Sequence, residues 1–262
     1  MGKLSGRVAV VTGGGSGIGK ETAIMMAAEG AKVVVAGRRQ APLDEVAADI
    51  TSAGGEAVAK LVDIEDGDAA AELGRWTLSH CGRVDVLVNN AGHSSRARSI
   101  RWVGADEWRS VFRVNVEGVY RLTQAVIEDM LKRGEGTVIT VSSMAALNPG
   151  LLGGAPYSAA KAASLNLMRE INAELRNRGI RACTIIPAEV DTPILNRRPL
   201  PPGEKERATM MRPEDVAAAI MLCATMPART LVEQIVMMPT RQRDVTKDIE
   251  AARRAGAPSA EA

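Results

Sequence analysis

Cysteine and histidine are scarce in this chain of 262 residues, which has three cysteines and two histidines. The cysteines, Cys81, Cys183 and Cys223, are widely spaced, and the histidines are His80 and His93. This inventory supports neither a disulfide framework nor a zinc site, so we predict no metal. His80 and Cys81 are adjacent, but two such neighbours without further ligands are typical of a helix end before a glycine.

Long apolar runs and an excess of charge of one sign are also missing. No apolar run reaches about 18 residues, the length that indicates a membrane-spanning helix, and no apolar signal region begins the chain. The net charge is +2, and basic residues are interspersed with acidic ones over most of the chain. We therefore expect a cytoplasmic protein with no membrane and no nucleic acid among its partners.

Apolar residues form short runs that alternate with helix-like segments, and hydrophobic residues make up 46% of the chain. This alternation indicates βαβ units and a parallel sheet. The predicted strands are Val8 to Val11, Lys32 to Ala36, Ala57 to Val62, Val84 to Val88, Thr137 to Val141, Arg181 to Ile186 and Leu231 to Met238. We expect a single α/β domain with a seven-stranded parallel sheet, doubly wound in Rossmann-type order, with helices on both faces.

Residues 1–240 contain no internal repeat or linker, so we predict one domain over this range. Residues 241–262 are charged, rich in alanine and poor in large apolar side chains. This composition predicts a frayed helix or a disordered tail, and a role in subunit packing stays open.

A glycine-rich segment follows the first predicted strand: Thr12 to Lys20 reads TGGGSGIGK and opens a helical pattern. Glycine lets the backbone turn sharply and approach a pyrophosphate, and the free N–H groups of a helix N-terminus attract the anion. The loop thus indicates a dinucleotide site. Its predicted contacts are Gly13, Gly15, Ser16, Gly17, Ile18 and Gly19. Taken alone, the segment also fits an ordinary turn before a helix.

A second group of polar residues lies near the middle of the chain. Ser143 ends an apolar run, and Tyr157 and Lys161 share one face of a helical pattern because they are four positions apart. An ammonium group near a phenol favours the phenolate and lowers the phenol's pKa, which suits proton exchange with a carbonyl or alcohol oxygen. For this pair alone, a half-buried tyrosine beside a solvated lysine is the other interpretation.

Together the motifs resemble those of a classical short-chain dehydrogenase/reductase over nearly the whole chain. The glycine loop, NNAG at Asn89 to Gly92, RVNVEG, VSS and YSAAK occur in family order. The resemblance implies a catalytic tetrad of Asn115, Ser143, Tyr157 and Lys161. It implies that Tyr157 is the general acid/base, that Ser143 polarises the substrate oxygen, and that Lys161 lowers the tyrosine pKa and holds the nicotinamide ribose. Asn115 would support a proton relay through water.

The end of the second predicted strand bears on the cofactor. NAD-dependent members of the family usually have an acid there, whereas this chain has Gly37 followed by Arg38 and Arg39. A guanidinium group binds a 2′-phosphate through a charge-assisted fork, so we predict NADP in preference to NAD. Ordinary surface charges are the alternative interpretation of the two arginines. Asp63 resembles the family residue that contacts the adenine amine, and a helix cap is an equally good interpretation.

Two further segments complete the cofactor site that the resemblance implies. The small residues of NNAG let the backbone lie against the ribose, while its first asparagine supports the sheet; PAEVDT contacts the nicotinamide amide or a phosphate. The predicted residues are Asn89, Ala91, Gly92, Pro187, Val190 and Thr192. Ala188 replaces the family's glycine, and its Cβ narrows the nicotinamide edge or shifts the turn.

The substrate is left open by the sequence. Two segments that line the pocket in the family contain arginines, at positions 96, 98 and 101 and at 197 and 198. They attract a carboxylate or phosphate, or they are solvated loop charges, and the second interpretation is the more common outcome.

The prediction is an NADP(H)-dependent oxidoreductase that transfers a hydride between nicotinamide and a small carbonyl or secondary alcohol substrate. An NAD-dependent alcohol dehydrogenase on the same scaffold and a non-catalytic NADP-binding regulatory protein stay open. The intact tetrad disfavours the second alternative. The resemblance also implies a homodimer or homotetramer formed through long helices at about Asp106 to Lys132 and Tyr157 to Arg178.

Overall fold

The computed structural model describes residues 2–258. Its strands are β1 Val8–Thr12, β2 Lys32–Gly37, β3 Glu56–Leu61, β4 Val86–Asn89, β5 Gly136–Val141, β6 Ile180–Pro187 and β7 Gln234–Met237. All neighbouring strands are parallel, and their order is β3-β2-β1-β4-β5-β6-β7. The predicted α/β fold with a seven-stranded, doubly wound parallel sheet is confirmed.

Helices cover both faces of this sheet. They are α1 Gly17–Ala28, α2 Gln40–Ser52, α3 Gly67–Cys81, α4 Ala105–Phe112, α5 Gly118–Arg133, α6 Ala155–Leu175, α7 Glu204–Arg207, α8 Pro213–Thr225 and α9 Thr246–Arg254. Buried side chains of α1, α2 and α8 belong to the core on one face, and those of α3, α5 and α6 belong to the core on the other.

The central strand β1 shows why its sequence is continuously apolar. Ala9 and Val11 point into the first core and Val10 into the second, and all three are fully buried. Successive residues of a strand face opposite sides, so a sheet covered on both faces needs apolar residues at every position. Burial of one valine side chain stabilises the fold by about 1.5–3 kcal/mol.

The helix predicted from Asp106 to Lys132 is interrupted. Helices α4 and α5 are joined by one π-helical turn, Arg113–Glu117, which contains Asn115. The turn widens the helix without a proline or an extra loop, and π-turns are frequent at functional sites. Smaller differences affect the predicted last strand, which is shortened to β7, and α6, which ends at Leu175 before a 3₁₀ turn.

An ion-pair cluster closes the amino-terminal edge of the sheet. Asp85 is 4% exposed, and its Oδ1 accepts hydrogen bonds from Arg7, Arg83 and Arg133 at 3.0, 2.6 and 2.9 Å. Its Oδ2 accepts from the Val8 N–H at 2.9 Å. Burial acts to raise the pKa of Asp85, but the hydrogen bonds from Arg83, Val8 and Arg7 outweigh it and hold that pKa below 3.8.

The segment after residue 240 differs from the predicted frayed or disordered tail, because it contains α9 and is held by ion pairs. Arg243, 7% exposed in its side chain, pairs with Glu189 and with Asp248 on α9, each at 2.8 Å. Glu189 also pairs with Arg198 at 2.6 Å. These contacts join residues far apart in sequence, which local composition does not reveal. Residues 259–262 of the predicted tail lie outside the described residues.

Candidate active site

A cavity of about 980 Å³ opens at the carboxyl ends of the strands. Strand β1 lies between β2 and β4, so the chain connections diverge at this point and leave a crevice, the usual ligand site of such sheets. Predicted site residues that line it are Gly13, Gly15, Ser16, Gly17, Ile18, Arg38, Arg39, Asp63, Ala91, Gly92, Ser143, Tyr157, Lys161, Pro187, Val190 and Thr192. Gly19, Asn89 and Asn115 are not among the lining residues, although all three had been predicted at the site.

The glycine loop has the backbone geometry of a phosphate cradle. Gly13 and Gly17 have φ angles of 65° and 53°, in the left-handed region that other residues rarely adopt. A Cβ on Gly19 would lie 2.3 Å from the carbonyl oxygen of Gly13, so Gly19 allows α1 to pack against the loop. The loop leads directly into the N-terminus of α1, where free N–H groups and the helix dipole favour an anion. These residues fit a pyrophosphate.

Asn90 joins this loop to the end of β4, a role that the sequence analysis missed. Its Nδ2 donates to the Thr12 carbonyl oxygen at 2.9 Å, and the N–H groups of Asn90 and Ala91 donate to the Thr12 hydroxyl at 3.0 Å. Only its place in NNAG marked this residue. Asn89 is buried and its Nδ2 donates to the Thr123 hydroxyl of α5 at 3.3 Å, in a structural position.

The end of the cavity that lies farthest from α6 is basic. Arg38 and Arg39 follow β2 and are exposed, and neither forms an ion pair within residues 2–258. Asp63 follows the neighbouring strand β3 and lines the same cavity, and its Oδ1 accepts from the Glu65 N–H at 3.0 Å. The N-cap of α3 is Asp66, so the alternative interpretation of Asp63 as that helix cap is wrong.

Ser143, Tyr157 and Lys161 meet at the opposite wall. Ser143 follows β5, and the first turns of α6 carry Tyr157 and Lys161. The Ser143 hydroxyl accepts from the Ala145 N–H at 3.2 Å, and the Ser143 side chain lies close enough to the Tyr157 phenol to act on its pKa. The Lys161 Nζ donates to the Val141 carbonyl oxygen at 2.8 Å and lies 5.6 Å from the centroid of the Tyr157 ring.

The electrostatics of this wall differ from the sequence prediction that the ammonium lowers the tyrosine pKa. Burial raises the pKa of Tyr157, while the nearby Ser143 hydroxyl and the charges of Arg98 and Arg198 act to lower it. Burial lowers the pKa of Lys161 itself to about 8. The positive charges that favour the phenolate therefore include two arginines that the sequence analysis had not connected with Tyr157.

Asn115 lies behind the lining, next to the lysine. The π-turn turns its side chain inward, and Nδ2 donates to the carbonyl oxygens of His93 and Val111, both at 2.8 Å. Its buried Oδ1 has no hydrogen-bond partner among the described residues. A Cβ on Gly92 would lie 2.8 Å from this Oδ1 and 3.2 Å from the Lys161 Nζ, so Gly92 keeps both atoms uncovered.

The segment after β6 completes the cavity between these two ends. Val190 forms a parallel bridge with Met211, and the Thr192 hydroxyl donates to the Val190 carbonyl oxygen at 3.3 Å. The Thr192 methyl group would lie 3.1 Å from a Cβ on Gly17, so this segment meets the glycine loop. Ala188 donates its N–H to Met237 at 2.9 Å and thereby prolongs the pairing of β6 with β7.

Metal-binding clusters and membrane-spanning helices are both absent from the part of the chain that the structure describes. No group of three or more histidine, cysteine, aspartate and glutamate side chains in residues 2–258 is arranged to hold a metal ion. None of the helices in this part of the chain combines the length and apolar character needed to cross a membrane.

Comparison with known proteins agrees with this architecture. The family model described as short chain dehydrogenase matches residues 7–201. A 3-oxoacyl-[acyl-carrier-protein] reductase of Synechocystis is 36% identical over 244 residues, which cover 88% of this chain and 94% of the reductase.

Two solved structures are also similar. A metagenomic short-chain oxidoreductase in complex with NADP has a TM-score of 0.79 and 32% identity, covering 92% of this chain and all of that one. A 7α-hydroxysteroid dehydrogenase complexed with NADH and 7-oxo glycochenodeoxycholic acid has a TM-score of 0.80 and 31% identity, covering 90% and 94% of the two chains. The protein therefore belongs to the short-chain dehydrogenase/reductase family of oxidoreductases.

Proposed function

We propose that the protein is an NADP(H)-dependent oxidoreductase that interconverts a carbonyl compound and a secondary alcohol, with Tyr157 as general acid/base. One observation carries this proposal: Ser143, Tyr157 and Lys161 converge at one wall of the cavity whose other end is formed by the glycine loop and two arginines. The bound nicotinamide would supply or accept the hydride.

The groups at this wall have complementary tasks. Ser143 and Tyr157 both line the cavity, and Ser143 lies close enough to act on the Tyr157 pKa, so both hydroxyl groups can contact one substrate oxygen. Ser143 holds that oxygen while Tyr157 donates a proton to it or removes one from it. The Lys161 ammonium and the unpartnered Oδ1 of Asn115 adjoin Gly92, which supports a route for the proton from Tyr157 toward solvent.

Arg38 and Arg39 support NADP over NAD. Both are exposed at the cavity, and neither has a carboxylate partner among the described residues. A 2′-phosphate would supply the missing anion, whereas the 2′-hydroxyl of NAD would not. Related structures have been solved with NADP and with NADH, so they do not distinguish the two cofactors. The preference for NADP therefore rests on the two arginines.

The test is oxidation of NADPH and NADH in the presence of a panel of ketones, aldehydes and oxo acids. We expect turnover that prefers NADPH and falls by about 100-fold or more in Tyr157→Phe, with cofactor affinity nearly unchanged. Tyr120→Phe is the matched control, because Tyr120 is the other tyrosine of the chain and is 43% exposed. Full activity of Tyr157→Phe would refute the assigned mechanism, and tight NADPH binding without turnover would favour a regulatory protein.

We propose in addition that the enzyme is a cytoplasmic homodimer or homotetramer. An apolar groove of about 770 Å³ runs along α4, α5 and α6, with Trp108, Phe112, Tyr120 and Leu167 in its wall. A second copy of these helices would cover it, and Leu167→Glu would then shift the mass measured by light scattering to that of a monomer. A monomeric wild-type protein would refute this assignment.

Free thiols at all three cysteines support a reducing compartment.

A further inference from the structure

Arg98 is a buried arginine in the wall of the cavity. Its side chain is 5% exposed, contrary to the interpretation of this residue as a solvated loop charge. Nη1 donates to the Ser94 hydroxyl and, at 2.7 Å, to the Gly153 carbonyl oxygen. The Nε hydrogen is buried and has no acceptor within residues 2–258. The fold therefore holds this guanidinium in place without satisfying it.

No ion pair within residues 2–258 neutralises the charge of Arg98. Burial lowers its pKa to about 10, which still leaves it protonated near neutral pH. Glu107 lies close enough to act on Arg98, but its carboxylate accepts hydrogen bonds from the N–H groups of Arg96 and Ala97. Arg198, the other arginine near this point, already pairs with Glu189. An arginine this buried without a counter-charge is expensive for the fold and is unusual unless it serves a ligand.

Arg98 also adjoins the residue that would protonate the substrate. Its carbonyl oxygen accepts from the Ala155 N–H at 2.9 Å, and a Cβ on Gly154 would lie 2.8 Å from its Cδ. Arg98 thus packs against the first turn of α6, which carries Tyr157. The charges of Arg98 and Arg198 both act on the pKa of Tyr157, so both guanidinium groups lie near the phenol. The N-terminus of α6 adds a partial positive charge at the same place.

We propose that Arg98 binds a carboxylate of the substrate, which makes the substrate an oxo acid or the corresponding hydroxy acid. This inference rests on the proposed oxidoreductase function. A guanidinium near the phenol that has no ion-pair partner within residues 2–258 supplies one positive charge for one carboxylate close to the reacting carbonyl. Its Nη1 is engaged and its Nε is buried, whereas its Nη2 donates to no described residue and is the nitrogen that would donate to the carboxylate. A phosphate with its second negative charge would need more donors. Leu152 and Met144, which also line this part of the cavity, suit a short aliphatic chain.

The experiment compares acids with neutral molecules that carry the same carbonyl. We would measure kcat/KM with NADPH for 2-oxo, 3-oxo and 4-oxo acids, for their methyl esters, and for dihydroxyacetone phosphate. The variants are Arg98→Met, Arg98→Lys and the control Arg96→Met, whose exposed side chain is outside the cavity lining. We expect the wild type to prefer at least one acid, and Arg98→Met to lose about tenfold to 100-fold on that acid and little on its ester. Arg98→Lys would keep part of the preference.

Each other result contradicts the proposal. Equal losses on acid and ester would indicate that Arg98 only supports the Gly153 loop, and equal losses with a shifted pH profile would indicate that it only tunes Tyr157. A preference for the phosphorylated ketone would refute the assignment to a carboxylate.

A binding measurement separates failure of this inference from failure of the proposed function. Thermal unfolding with NADP⁺ is recorded while each acid or ester is added. Stabilisation by an acid that disappears in Arg98→Met, without turnover of any compound, would support the carboxylate site and refute the oxidoreductase function. Turnover of neutral ketones without stabilisation by any acid would support the oxidoreductase function and refute the carboxylate site.

Discussion

Replacement of Arg38 by aspartate tests the cofactor preference at the residue that is best placed to set it. Arg38 follows Gly37, the last residue of β2, where NAD-dependent members of the family place an acid. Its exposed guanidinium lines the cavity and has no ion-pair partner among the described residues. Arg38→Asp removes a positive charge from the proposed phosphate contact and puts a negative one there.

The expected magnitude has two parts. A hydrogen bond to a charged group contributes about 1.5–3 kcal/mol, and the exposure of Arg38 favours the lower end of that range. A new carboxylate about 4 Å from a phosphate in water adds repulsion of about 1–2 kcal/mol, because the phosphate carries almost two charges. The sum, about 2.5–4 kcal/mol, weakens NADPH binding by roughly 70-fold to 800-fold. NADH has no 2′-phosphate, so the substitution costs it no contact, and its 2′-hydroxyl gains a hydrogen-bond acceptor.

The assay is titration of NADPH and NADH by the fluorescence of the bound nicotinamide at low and high salt. Arg38→Met separates the lost contact from the added repulsion, and only the repulsive part should weaken as salt rises. Arg229→Asp, at an exposed arginine outside the cavity lining, controls for the change in net charge. Equal losses of affinity for both cofactors in Arg38→Asp would refute the reasoning.

Three further variants test contacts that hold the glycine loop, the amino-terminal edge of the sheet and α9 in place. Gly19→Ala places a Cβ 2.3 Å from the Gly13 carbonyl oxygen, so the loop must move; we expect a cost of about 1–3 kcal/mol in thermal unfolding and weaker cofactor binding in titration. Asp85→Asn should lower the free energy of unfolding in urea by about 2–4 kcal/mol at pH 7. The folded-state pKa of Asp85 lies below 3.8, so its contribution is complete above that value and is lost as the pH falls through the folded-state pKa. Arg243→Met leaves two carboxylates without this shared cation, and amide exchange should rise in α9 while β1 stays protected.

Matched measurements decide each of these cases. Gly104→Ala, where a Cβ would meet nothing within 4 Å, should leave cofactor affinity unchanged. An equal loss of affinity in Gly104→Ala would contradict the steric explanation given for Gly19→Ala. An Asp85→Asn deficit that is as large at strongly acidic pH as at pH 7 would contradict the charge explanation. Unchanged exchange in α9 of Arg243→Met would show that apolar contacts alone hold the helix.

The sheet could be predicted because its signals are local. Strands with two covered faces, such as β1, are apolar runs, and the connections between parallel strands are helical, so the order of the elements is visible in the pattern of hydrophobicity. The glycine loop could be predicted for the same reason, since φ angles such as that of Gly13 demand glycine. The predicted family is confirmed by the comparisons.

Contacts between distant residues were not predictable in this way. Nothing in the sequence around Asn115 marks a π-turn, because no proline interrupts α4 and α5. The burial of Arg98 depends on Gly153, 55 positions away, and the order of α9 depends on the pair between Arg243 and Glu189, 54 positions apart. Composition describes such arginines as solvent-exposed charges, and only the folded chain shows which of them are enclosed.

The pairing of Arg243 has a consequence for how this enzyme can change over evolutionary time. Glu189 lines the cavity and shares its charge between Arg198 and Arg243, and the second of these lies beyond the last strand. A chain that lacked Arg243 and the residues after it would still contain every proposed catalytic residue. It would nevertheless leave Glu189 with Arg198 as its remaining ion-pair partner, so the cavity would carry a less compensated negative charge that disfavours an acidic substrate. Mutations in the segment that holds Arg243 can therefore alter the charge at the cavity without replacing a proposed catalytic residue.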